Sequence, residues 1–256
     1  MISLSKKRYL SFFIIFSLLL MVSCGKKKII KKYHVTKDEE AVFCEVQPKA
    51  WKKIYISSKF NETPKSNFIL SKLKIEKDNL FKLDPTLQSI FLVLKGEGLF
   101  YDDQKEFLLR EEIAGYGYDC SAFIKAGGEL ELILLEKEPS LEMEKGIIIK
   151  NLFWISKENL PGYNEVSAKI IFHPQKDKTN FFIILAEVLK DRGNINYDIH
   201  PQQHGVFCLQ GEIKGKFYNE EKEFTINPND TAFTEGHFPH ILTGVAEESL
   251  LFIYQG

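Results

Sequence analysis

The chain has 256 residues, 44% of them apolar, enough for one large or two small packed domains and too many for a disordered polymer. Its 34 basic and 35 acidic side chains leave a net charge of -1, which argues against a nucleic-acid binder. Phenylalanine is abundant (21) and proline sparse (9), and short Phe, Ile and Leu runs broken by Gly, Asn and Asp point to an all-β protein.

The first element in the chain is a targeting segment. Lys6, Lys7 and Arg8 precede an apolar run from Tyr9 to Val22. About 14 apolar residues fall short of a membrane span, which needs about 20, and suit an export signal. Ser23 and Cys24 follow. With them the segment resembles a bacterial lipoprotein signal peptide, which implies that Cys24 becomes the lipidated first residue of the mature protein. Residues 1–24 are therefore read as a signal peptide and 25–45 as a basic tether. "GKKKIIKK" carries five lysines beside the anchor, so lipid and charge would both attract an anionic membrane. A plain solvated tether fits the same residues. The expected protein is exported and membrane-anchored, on the periplasmic or cell-surface side.

Cys44, Cys120 and Cys208 remain, an odd number with no spacing typical of structural zinc. They read as core or near-core residues. A Cys44–Cys120 disulfide is an open alternative.

An internal repeat organises the rest. "FLVLKGEGLFYDDQKEF" (Phe91–Phe107) and "VFCLQGEIKGKFYNEEKEF" (Val206–Phe224) share an apolar strand, a Gly-Glu pair, a turn, Phe-Tyr and a closing Glu-Phe. The offset is 115 at Gly-Glu and 117 at Phe-Tyr, as a two-residue insertion requires. "FYDDQKEF" and "FYNEEKEF" read as hairpins. The expected lobes are 46–137 and 166–256, joined by an interlobe connector at 138–165. Expected strands include "FILSKLKI", "SIFLVLK" and "ELELILLE" in the first lobe. In the second they include "NFFIILAEVL", "HGVFCLQ" and "LLFIY". No long amphipathic helix is expected.

The chemistry concentrates in "NYDIHPQQHGVFCLQGE" (Asn196–Glu212) and "NPNDTAFTEGHFPHIL" (Asn227–Leu242). A His-rich motif running into a strand that ends in Gly-Glu, with a second motif around a Pro some 30 residues later, resembles a cupin. The duplication makes it a bicupin. The expected fold is all-β, with two tandem cupin-type β-barrels. The second lobe is similar to (S)-ureidoglycine aminohydrolase through Asp198-x-His200-x-x-x-His204-Gly205, Gly211, Asp230-Thr231 and Pro239-His240. That similarity spans about residues 153–256 and reaches the first lobe only by architecture. It implies a manganese site held by Asp198, His200, His204 and His240. Asp198 stands for the family's glutamate ligand and His240 for its glutamine, and the second change raises the weight of iron, zinc or nickel. The family holds its substrate with a phenol and a lysine on the last strand and a glutamate between the lobes. Here "LLFIYQG" has no lysine, Phe252 falls at the phenol position and Trp154 at the glutamate position.

The residues themselves allow the same site. Asp198 and His200 share a strand face about 6.6 Å apart. His204 can join them only if the chain turns at Pro201-Gln202-Gln203, where proline disfavours a central strand. Imidazoles with a carboxylate suit Mn, Fe, Zn, Ni or Cu better than Mg or Ca. Histidines also serve as plain hydrogen-bonding residues at barrel rims, and His237 is an alternative ligand. Cys208 has the parity of His204 but sits about 13 Å further along, so it reads as core. No general base stands out; Gln203 and Glu235 are rim candidates. The repeat offsets map the four ligands to Leu83, Pro85, Ser89 and Phe123, so the first lobe should be metal-free.

Two functions lead, with a metal-dependent dioxygenase or isomerase as a third reading, because cupin metal sites host many reactions. One is an exported metal-binding bicupin acting as a metal-dependent amidohydrolase on a small ureido compound. The other is a non-catalytic, surface-anchored cupin lipoprotein that binds a ligand or serves a structural interaction. Expected partners are a small molecule and a membrane, with no nucleic acid; homo-oligomerisation is left open.

Overall fold

The computed structural model describes residues 33–57, 66–139, 143–160, 163, 165–190, 194–198, 201–217 and 222–256, with side chains set aside at 194–198 and 222. The signal segment, Cys24, the lysine cluster of the tether and His200 lie outside the described residues.

The described chain begins with β1 (Tyr33–Thr36), β2 (Val42–Gln47), β3 (Ala50–Ile56), β4 (Phe68–Ile75) and β5 (Leu80–Lys82). It continues through β6 (Gln88–Lys95), β7 (Gly98–Tyr101), β8 (Glu106–Leu109), β9 (Ile113–Tyr118), β10 (Phe123–Ala126), β11 (Leu130–Lys137) and β12 (Gly146–Asn151). After β13 (Glu158–Asn159) come β14 (Val166–Phe172), β15 (Phe182–Leu189), β16 (Asn194–Asp198) and β17 (His204–Gln210). The last strands are β18 (Ile213–Phe217), β19 (Lys222–Ile226), β20 (Thr231–Thr234), β21 (His240–Gly244) and β22 (Glu248–Gln255).

These strands form two lobes of one plan. In the first, the sheet β12-β9-β6-β11-β4-β3-β2 packs on β5-β10-β7-β8. In the second, β1-β20-β17-β22-β15-β14-β13 packs on β16-β21-β18-β19. The expected all-β, two-barrel architecture is thus the observed one. The lobes also exchange their leading strands. β1 precedes the first lobe yet pairs with β20 of the second, while β12 follows the first lobe's last strand and pairs with β9. The segment read as tether therefore holds β1 and the start of β2, and the connector holds β12 and β13.

Side-chain alternation gives each large sheet two buried faces. Leu73, Phe91, Phe100, Ile124, Leu132 and Leu134 fill the first barrel. Val206, Cys208, Ile213, Ala232, Leu242 and Leu251 line the second. The opposite faces meet in a shared core. There Tyr55 meets Phe207 edge-on at 5.1 Å between ring centroids, and Phe68 meets Tyr254 at 5.5 Å. This double burial explains why "SIFLVLK" and "HGVFCLQ" read as apolar runs more than as alternating ones.

The repeated Gly-Glu pair has a backbone cause. Gly96 and Gly211 have φ of +90° and +82°, where the chain leaves β6 and β17. A Cβ at Gly96 would lie 2.1 Å from the Glu129 carbonyl oxygen. Only glycine meets both demands. The hairpin after β7 also forms as read, with the Asp102 carboxylate accepting from the amides of Gln104 and Lys105 at 2.8 and 2.7 Å.

Strands missed by pattern have visible reasons. β9 carries two glycines in "IAGYGY", and β3 carries Lys52 and Lys53 in "AWKKIYI". Lys52 points into the barrel, where it is 9% exposed and bonds Glu136 at 2.5 Å. The open disulfide is not formed: Cys44, Cys120 and Cys208 are all free, and only Cys208 is fully buried.

Asp230 fastens the exchanged strand. Its carboxylate, only 3% exposed, accepts from Lys37 Nζ at 2.8 Å and from the amides of Asp38 and Asn227, both at 2.9 Å. Asp38 in turn accepts from the Tyr55 hydroxyl at 2.7 Å, so one short segment stitches β3 to the second lobe. Asp230→Ala should cost about 2–4 kcal/mol, because it strands buried donors and a charge-assisted bond. A urea-denaturation midpoint measures this; an unchanged midpoint would show the clamp to be dispensable. Burial also pushes the Cys208 thiol up to about 11. At pH 8 only about one molecule in a thousand would hold it as thiolate. Iodoacetamide should therefore spare Cys208 in the native protein and modify it after denaturation, as peptide mass spectrometry can read.

Candidate metal centre

Two of the four expected ligands meet in the second barrel. His204 opens β17 and His240 opens β21, on opposite sheets. Their Nε2 atoms lie 3.0 Å apart, and their rings are 4.6 Å apart at 37°. Both are buried, 7% and 5% exposed. The backbone orients each ring. His240 Nδ1 lies 2.9 Å from the Phe238 carbonyl, and His204 Nδ1 lies 3.3 Å from the Gln202 carbonyl. A carbonyl only accepts, so the tautomer in which Nδ1–H donates to it is the one that would present each Nε2 as a ligand to an ion. Thr234 Oγ1 sits 3.1 Å from His204 Nε2.

This donor set fits a transition-metal ion. With metal–nitrogen bonds of about 2.0–2.1 Å, two ligands at a right angle stand about 2.8–3.0 Å apart. The observed separation of 3.0 Å matches that arrangement. β16 delivers Asp198 to the same level, paired in register with His240. The Asp198 side chain and His200 lie outside the described residues, and among those described no three His, Cys, Asp or Glu side chains gather as a metal site.

Beneath the histidines is a cavity of about 220 Å³. His204, Thr234, Gln255 and His240 line one end, and Val206, Ile253, Ile184 and Leu242 line the walls. Leu160 and Tyr163, in the connector, also reach it. Sequence reasoning missed both, since no periodicity marks a loop residue folding back over a barrel.

The remaining expectations resolve by parity. Cys208 points into the barrel as core, as read. Phe252 does not occupy a substrate position: it is fully buried in the interlobe core, and its neighbours Ile253 and Gln255 face the cavity. Trp154 is 77% exposed, packs edge-on against Phe153 at 4.9 Å, and does not line the cavity. His237 is exposed at a φ of 60° in the turn before His240, away from the pair. Gln203 accepts from the Asn67 amide at 3.0 Å, which ties the His loop to the first lobe. Glu235 is half-buried and does not line the cavity. Gly205 follows His204 for packing: a Cβ there would meet the Tyr254 hydroxyl at 2.3 Å.

The first lobe shows what its counterpart lacks. Ser89 pairs with Gly117 as His204 pairs with Thr234, which confirms the offset of Ser89. The counterpart of His240 is Ile124 and not Phe123, because Ile124 pairs with buried Phe100 as His240 pairs with buried Phe217. Phe123 instead stacks on Tyr101 at 5.6 Å. Where the second lobe has Val206, the first has Phe91, whose ring lies over Gly115 and meets Phe100 edge-on at 4.9 Å. Gln255 is matched by Glu136, closed by its ion pair with Lys52.

No protein-family model and no curated protein matches this sequence. Solved structures do match it in shape. A putative glyoxylate-induced protein from Pseudomonas aeruginosa aligns over 91% of both chains with a TM-score of 0.75 at 11% identity. A cupin 2 conserved barrel domain protein from Leptotrichia buccalis aligns over 90% of this chain and 98% of its own, with a TM-score of 0.58 at 15% identity. Bacillus subtilis oxalate decarboxylase aligns over 89% of this chain and 77% of its own, with a TM-score of 0.67 at 11% identity. At such identities the likeness speaks for the fold alone, and that fold is the cupin fold.

Proposed function

We propose that the second lobe binds a divalent metal ion through Asp198, His200, His204 and His240, and that an exported, lipid-anchored protein carries it. The facing Nε2 atoms of His204 and His240, 3.0 Å apart, are the observation that supports this reading. The carbonyls of Phe238 and Gln202 hold the two rings in place, so little side-chain entropy is left to lose on binding. A bound divalent ion would supply Lewis acidity toward a ligand oxygen. Manganese is the first choice from the family resemblance, with iron, zinc or nickel next because His240 replaces an amide. Export and anchoring rest on the apolar segment before Cys24 and on the lysines after it.

The cavity wall weighs against a ureido substrate. Each ureido N–H held against Val206, Ile253 or Ile184 would go unpaired, at about 1–3 kcal/mol apiece. The binding reading, or turnover of a less polar ligand, fits that wall better.

Elemental analysis of the purified full-length protein should find close to one equivalent of metal. His204→Ala and His240→Ala should each reduce it at least tenfold, while circular dichroism stays that of a β protein. Less than a tenth of an equivalent in the unaltered protein would overturn the metal reading. On metal-loaded protein, ammonia release from ureidoglycine is expected to be absent. Clear release would restore the amidohydrolase reading.

A further inference from the structure

The strand register sorts the second barrel's interior into layers. Across the sheet, Thr234 pairs with His204, His204 with Gln255, and Gln255 with Phe182. That row carries the polar atoms. It lies at the rim, since Gln255 Nε2 donates at 2.9 Å to the exposed Gln202. Two residues further along each strand, Ala232, Val206, Ile253 and Ile184 form the next row, and all four are apolar. Cys208, Leu251 and Ala186 form a third row, each fully buried, which closes the bottom. The facing sheet repeats the order: His240 is level with Phe217, and Leu242 lies two residues beyond.

The cavity thus has one polar end and an apolar body. Its volume of about 220 Å³ is real space and not loose packing. An engineered apolar cavity of about 150 Å³ already takes up benzene. The space exists because Val206 stands where the first lobe packs Phe91.

We infer that this site takes a small monoanion with an apolar body, such as a short-chain or aromatic monocarboxylate, with its charged head at His204 and His240 and its body against Val206, Ile184 and Ile253. The inference deepens the metal reading, because a bound ion would bind the carboxylate directly. The apolar rows and the space between them are present with or without an ion, so selection by chain length can be read separately from metal content. A second charge on the ligand has nowhere to go: among the described residues, the rows below the rim offer no charged side chain to meet it.

Calorimetric titration of the full-length protein in nanodiscs tests this with linear monocarboxylates from acetate to octanoate, and with succinate, glutarate and adipate. Affinity for the monocarboxylates should rise about fourfold per added methylene until the cavity is full. The dicarboxylates should show no such gain. Val206→Phe, which restores the first lobe's aromatic ring, should flatten the series while metal content is kept. A flat series in the unaltered protein, or dicarboxylates bound as tightly as monocarboxylates, would overturn the inference. Should the Phe variant not fold, the comparison of mono- with dicarboxylates decides alone. Metal content measured on the same sample separates the two readings. Chain-length dependence without metal sinks the metal site and leaves the ligand class standing; metal without chain-length dependence does the reverse.

Discussion

The central strands of both large sheets are buried on both faces, and most of the structure follows from that. One face of each closes a barrel and the other joins the interlobe core. Because side chains alternate along a strand, the residues of β6, β11, β17 and β22 away from the bulges at Glu131–Leu132 and Cys208–Gln210 are committed to one side or the other. On β17 this sends His204, Val206 and Cys208 inward and Gly205 and Phe207 outward. A one-residue slip would move the histidine into the interlobe core and a phenylalanine into the cavity. The position of the chemistry is therefore protected by an apolar interface on the far side of the sheet.

The same constraint explains how one scaffold supports a filled lobe and a hollow one. Phe91, Phe100 and the Lys52–Glu136 pair occupy the first barrel. Val206 in place of Phe91, and Gln255 without an ion-pair partner's bulk in place of Glu136, leave room in the second, while Phe217 keeps the ring of Phe100. The difference lies in a few inward-facing side chains, and the strand order is untouched. A buried ion pair contributes little net stability, but breaking one partner is costly, so Lys52 and Glu136 hold one another in place.

Much of this was legible beforehand. The repeat announced two lobes of one plan, and β4 and β17 were read to the residue, since each is an apolar run between polar or glycine residues. The pairing of His204 with His240 was legible through a motif, while their distance was not. What escaped notice involved alternation through irregular segments. One unnoticed step in parity moved Phe252 from cavity to core and swapped Phe123 for Ile124. Leu160 and Tyr163 reach the cavity from a connector whose composition says only that it is a loop. β1 looked like tether because four residues of mixed polarity do not reveal a partner about two hundred residues away.

That exchanged strand bears on how such a chain can change over time. Each lobe's sheet ends in a strand lent by the sequence preceding the other lobe. Two separate copies, each lending its first strand to its twin, would make a swapped homodimer, and joining them end to end yields this topology. Once joined, neither half can be discarded. Without the first, β20 would present a bare edge open to pairing with another chain. The first lobe is thus needed for its shape whether or not it carries a site of its own.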